Sequence, residues 1–196
     1  MFANRFTALV DACSLAGALK RNLLLSLAEA DFYRLRWSSR ILDETQRAIV
    51  DILMKKEAND PQGHAAYTRA QMERAFREAS VEGYELLLPS IQGLPDADDV
   101  HVVAAAIATR AHVIVTDNLK DFPVDILEPL GLAAVNTDDF LANTIALNEA
   151  AAINVIRKMR ESFQRPEISA EVLLLKMEAA ELPATANLLK DFVEIL

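Results

Sequence analysis

The residues of this chain best suited to chemistry are carboxylates at particular positions. Asp11 closes the run FTALVD, Glu44 lies in WSSRILDE, Asp98 and Asp99 head LPDADDVHVVAAAI, and Asp117 sits in VIVTDNLKDFP. Each falls where an apolar element ends or a helix begins. Acids gathered from such positions repel one another and call for a cation between them. Carboxylate-only ligation suits Mg2+ or Mn2+, and such an ion activates water and stabilises the departing oxygen in phosphodiester cleavage. Singly, each acid also has an ordinary structural role. Asp43, Glu44, Asp98 and Asp99 can act as first-turn acids, each worth about 0.3–1 kcal/mol at a helix N-terminus. Asp11 can cap a helix and Asp117 can shape a turn. The case for a metal rests on convergence.

Other chemistries find less support. His64, His101 and His112 show no ligand spacing and Cys13 stands alone, which argues against zinc. The chain contains no GxxxxGK[ST], GxGxxG or GxSxG run. A receiver-type phosphoacceptor would need a separate strand-end lysine, and Lys120 lies instead in the KDF loop.

Positioning these acids requires a sheet. Residues 6–10 read as a buried parallel strand and 14–27 as a helix. A second strand is predicted over 32–38, and Ser38 or Ser39 caps a helix running to 58. Asn59-Asp60-Pro61-Gln62-Gly63 reads as a breaker, with a further helix opening at Thr68. A third strand is expected over 84–88. Asp98 or Asp99 then starts a helix running to 110, followed by strands over 112–116 and 132–135. Strands alternating with helices imply right-handed crossovers and a parallel sheet. From 139 onward only helices are expected (139–148, 149–163, 169–180, 184–195), broken at Gln164-Arg165-Pro166 and Leu182-Pro183. The reading is an α/β domain over 1–137 and a helical extension over 138–196, whose apolar face must pack on the domain, a second copy or a partner.

In an open parallel sheet ligands gather beyond the carboxyl ends of the strands, which puts Asp11 and Asp117 on one edge with early-helix residues beside them. Taking roughly 100° per residue, Asp99 heads the inward stripe of its helix, Asp98 lies at the border and His101 should face water. Glu44 flanks the stripe formed by Ile41, Thr45, Ala48, Ile49 and Ile52, with Asp43 farther around. Asp11, Glu44 and Asp99 are therefore the inward trio. Asp117 is the fourth candidate, and Thr116 can hydrogen-bond a ligand or phosphate.

The 196 residues carry a net charge of −9, which argues against broad non-specific binding to nucleic acid. The single cysteine permits no intrachain disulfide, so a reducing cytoplasm is expected. The first residues do not read as a signal peptide, and the apolar runs are too short to span a membrane.

The series LVDACSL, RWSSRILDE and LPDADDVHVVAAAIATRAHVIVTDNLKDFP resembles the PIN-domain family of metal-dependent ribonucleases, and more narrowly the VapC-type toxins of bacterial toxin–antitoxin pairs. The resemblance covers about residues 5–140 and is strongest over 95–123. It implies a three-layer PIN-like fold with a central parallel sheet flanked by helices, and an all-α extension. It further implies an endoribonuclease holding Mg2+ or Mn2+ through Asp11, Glu44 and Asp99, acting on structured RNA such as tRNA or rRNA. A cognate antitoxin would block the site, and the chain would form a homodimer. The family usually places Asn or Ser two residues after its first acid, where this chain has Cys13 followed by Ser14. Its fourth position falls on Asn118, leaving Asp117, Asn118 and Asp121 as alternatives. A structure-selective DNA nuclease or other phosphodiesterase, and a catalytically degenerate binding module, are the competing functions.

Overall fold

The computed structural model describes residues 6–163 and 167–196. The predicted break at Gln164-Arg165-Pro166 lies outside them, as do the first five residues of the N-terminal segment. The strands are β1 (Thr7–Val10), β2 (Arg34–Ser38), β3 (Ser80–Val81), β4 (Val113–Val115) and β5 (Ala133–Val135), of which β1, β4 and β5 are short, mainly apolar runs. They make a five-stranded parallel sheet in the order β3-β2-β1-β4-β5. Leu9 pairs in register with Arg36 on one side and Ile114 on the other. The order reverses at β1, so the β1–β4 boundary is the switch point where the sheet opens a crevice.

Helices α1 (Ala12–Ala16) and α2 (Ala18–Glu29) follow β1, separated by Gly17, where a single helix was predicted. After β2, Ser38 accepts from Ile41 N at 3.2 Å and caps α3 (Ser39–Lys55), whose buried face is Ile41, Leu42, Thr45 and Ile49. The predicted breaker is in fact the start of α4 (Pro61–Ala75). Asp60 accepts from Gly63 N at 3.0 Å, and Pro61 supplies a pre-set φ at the first helical position. A Cβ on Gly63 would fall 2.0 Å from Asp60 Oδ2, so this cap requires glycine.

The strand expected over 84–88 is instead a 3-10 helix, Tyr84–Ser90, and the third strand is the two-residue β3 just before it. Pro89 has no N–H to give a ladder, and Leu86 is left exposed to solvent. This 3-10 helix packs on α5 (Val100–Ala108), which also meets β1, β2 and β4. Covered on several sides, α5 is apolar all round except at His101 and buries every residue from His101 to Ala106.

A short α6 (Val124–Leu127) precedes β5. Beyond it come α7 (Thr137–Ala146), α8 (Glu149–Glu161), α9 (Ala170–Ala179) and α10 (Pro183–Leu189). Their apolar face turns inward onto the rest of the chain. Phe140 of α7 stacks edge-on against Tyr33 with centroids 4.9 Å apart. α8 packs on α2 through a buried face containing Ala152, Ile153, Ile156 and Met159. Asp138 receives the N–H groups of Ala184 and Thr185 at 2.7 and 2.8 Å, holding the start of α10. Among the described residues no helix is long and apolar enough to cross a membrane.

Candidate metal centre

Asp11 leaves β1 at the switch point and caps α1, its Oδ1 accepting from Ala12 N at 2.7 Å. Its Oδ2 accepts from the Thr116 hydroxyl, just past β4, at 2.9 Å. Asp11 is thereby buried yet fixed in direction from both strands that border the crevice. Cys13, at the position where Asn or Ser is usual in the resemblance, has an exposed edge, but its sulfur sits 3.3 Å from Asp11 Oδ2 and 3.2 Å from Thr116 Oγ1. Burial and the Asp11 charge push the Cys13 thiol up to about 11. It therefore stays protonated at neutral pH and serves as a weak donor to Asp11.

Across the crevice the segment before α5 supplies further carboxylates. One oxygen each from Asp96, Asp99 and Asp121 lies within 4.8 Å of the others. Asp96 caps the 3-10 turn Ala97–Asp99 by accepting from Asp98 N at 2.8 Å. Asp121 is held by the Asn118 side-chain amide. The Asp99 carboxyl makes no cap bond of its own. Burial, then the charges of Asp11, Asp96 and Asp121, push it up to about 6, against a small opposing effect of His101. None of the salt bridges among the described residues reaches Asp11, Asp96, Asp99 or Asp121. An uncompensated group of oxygen donors of this kind fits a hard divalent cation such as Mg2+ or Mn2+.

The other candidates stand differently. Glu44 is half-buried and compensated, accepting from Arg40 Nε at 3.2 Å and lying 3.2 Å from His101 Nε2. Burial raises its carboxyl, but His101 and Arg40 outweigh that and hold it below the ordinary glutamate range. His101 was expected to face water and is instead 1% exposed. The expectation treated α5 as a helix with one covered face, whereas its surroundings cover it all round. Asp98 points outward, its carboxylate and carbonyl meeting Arg40. Asp117 turns away from the group. Its Oδ2 accepts from Lys20 at 2.8 Å and its Oδ1 from Thr137 N at 3.0 Å. Ser14 donates to Val115 O at 3.2 Å and receives the Thr137 hydroxyl at 2.8 Å, a bracing role behind Asp11. Asp96 was missed by the sequence reading. Its signal was spacing, since it lies three residues before Asp99 and so on the same side of a helical turn.

The PIN domain family matches residues 7–120, more than half of the chain, and the VapC50 C-terminal domain family matches residues 137–191. A protein of Mycobacterium tuberculosis named "Putative ribonuclease VapC50" is 45% identical over 76 residues, a stretch covering 39% of this chain and 45% of that relative. No solved structure matches. The acids at the switch point and the helices behind them thus find their counterpart in known families, and the chain belongs to the PIN-domain family, with a C-terminal domain of the VapC50 kind.

Proposed function

We propose that this chain is a divalent-metal-dependent endoribonuclease acting as the toxin of a toxin–antitoxin pair. The observation that carries the reading is the uncompensated group formed by Asp96, Asp99 and Asp121 with Asp11 acting on Asp99 across the crevice. The PIN-domain match and the ribonuclease name of the Mycobacterium tuberculosis relative support it. Asp11, Asp99, Asp96 and Asp121 would hold Mg2+ or Mn2+, and the bound ion would supply an activated water and charge stabilisation for the departing oxygen. Thr116 orients Asp11, and Asn118 orients Asp121. Glu44, kept ionised by His101 and Arg40, would join these aspartates as a ligand, as the family resemblance implies, and help orient the attacking water. Asp117 belongs to the scaffold. The nuclease unit occupies 1–137 and the helical extension 138–196. The substrate is structured RNA of the tRNA or rRNA class, in the cytoplasm, and a homodimer is the working form. A cognate antitoxin silences the enzyme by covering the acidic crevice.

The test incubates purified protein with tRNA, rRNA fragments and flap DNA in Mn2+, Mg2+ or EDTA, alongside Asp99→Asn. RNA cleavage by the wild type alone, abolished by EDTA, is expected. Cleavage of flap DNA in preference to RNA would replace the reading with a DNA nuclease. Mn2+ binding with no cleavage of any substrate would leave a binding module. Growth arrest by the wild type and not by Asp99→Asn is the matching result in cells, and equal arrest by both would remove nuclease activity as the cause.

A further inference from the structure

We propose that His101 is a positioning residue that fixes the direction of the Glu44 carboxylate, an inference that rests on the metal-dependent reading above. His101 lies in the first turn of α5, two residues past Asp99, and is 1% exposed. Neither ring nitrogen makes an aligned hydrogen bond. The approach that exists is to Glu44, whose Oε1 lies 3.2 Å from Nε2, within contact distance but off the direction of a good bond. Packing alone is better served by an apolar side chain, because a buried nitrogen without an aligned partner costs about 1–3 kcal/mol.

Glu44 has three basic neighbours, and they are not equivalent. Arg40 and Arg47 approach at 3.2 and 3.9 Å with side chains 43% and 73% exposed, so solvent and salt screen them. His101 reaches Glu44 from the protein interior, where the same contact is worth more and the ring cannot move aside. Its neutral form with the proton on Nε2 can donate to Glu44, leaving Nδ1 as a buried acceptor. Such contacts are commonly loose before a ligand binds and tighten afterwards. Outer contacts of this kind, holding a carboxylate in a fixed direction, typically matter 10–100-fold for metal affinity.

The experiment is calorimetric titration of Mn2+ into the full chain, with folding checked by circular dichroism. His101→Leu should bind Mn2+ roughly 10–100-fold more weakly, and His101→Gln, whose amide nitrogen can stand in for Nε2, should recover most of that loss. In a Glu44→Gln background His101→Leu should add no further loss. Equal affinity for the Leu and Gln variants, or additive losses with Glu44→Gln, would overturn the role. Should His101→Leu fail to fold, His101→Asn replaces it, because its shorter amide cannot reach Glu44, and parity with His101→Gln would again overturn the role. If Asp99→Asn abolishes binding while His101→Leu keeps wild-type affinity, only the positioning role falls. If the wild type binds no Mn2+, the metal reading falls and takes the role with it.

Discussion

Two carboxylates one crevice apart, Asp99 and Asp117, show how the same side chain is put to opposite uses. Asp99 sits among like charges, and its carboxyl is pushed up to about 6 by burial and by Asp11, Asp96 and Asp121. Burial also raises the Asp117 carboxyl, but Lys20 and Thr137 outweigh it and hold it below the ordinary aspartate range. The backbone at the end of β4 does the sorting. Thr116 turns to Asp11, Asp117 to Lys20 and Thr137, and Asn118 to Asp121, so consecutive residues serve different partners. Charge is left unpaired at Asp99, open to a cation, and is already paired at Asp117.

Four measurements would break that contrast. First, Asp99→Asn should lower RNA cleavage roughly 10²–10³-fold or more, whereas Asp117→Asn should keep the rate constant within about tenfold once folded protein is counted. Equal losses in single-turnover assays would erase the division. Second, Mn2+ at a hundred times its Kd should stabilise the wild type by about 2.7 kcal/mol. Thermal melts should show that gain in Asp117→Asn and not in Asp99→Asn.

Third, Asp117→Ala should destabilise the protein by about 1–3 kcal/mol at pH 7, by stripping Thr137 N and Lys20 of their acceptor. Because the folded carboxyl lies below its unfolded range, this contribution is present above pH ~4 and is lost as pH falls through the folded value. The gap in denaturant midpoint between the two proteins should therefore be wide at pH 7 and narrow as pH falls to 3. Fourth, Asp99→Asn should stabilise the metal-free protein at pH 7 by about 1 kcal/mol, after allowance for solvent screening. Here the sign reverses. The folded carboxyl holds its proton up to about pH 6 while the unfolded one releases it near 4. The wild type thus loses stability relative to the variant as pH rises through that window, and melts in EDTA at pH 4 and pH 7 should show the gap open.

Much of this was legible in the sequence because the signals were local. Asp11 after a β-branched and aliphatic run, Asp99 at the head of an apolar helix, and VIV before Thr116 each declare their position within a few residues. What stayed hidden was non-local. The outward placement of His101 assumed one covered face, and nothing in the local pattern shows that Tyr84–Ser90 folds back onto α5. The same segment passed for a strand because its leucines suit either structure, and only the missing ladder partner decides. Asp117 is a candidate fourth ligand on strand-end grounds, beside Asn118 and Asp121. Its pairing depends on Lys20 and Thr137, 97 and 20 residues away in the chain. Asp96 went unremarked beside the more conspicuous Asp98-Asp99 pair, although Asp98 is the one that faces outward.

The chain Thr137–Ser14–Val115 has a consequence for modular exchange. The first residue of α7, Thr137, donates its hydroxyl to Ser14, three residues past Asp11, while its N–H goes to Asp117. A different C-terminal module grafted behind Val135 therefore cannot be chosen for its own fold alone. It must begin with a small hydroxylated residue at the helix head and offer an aromatic ring at the position of Phe140 to cover Tyr33. Swaps that keep those features should leave the crevice intact, and swaps that omit them should loosen Asp11 from the strand end that aims it.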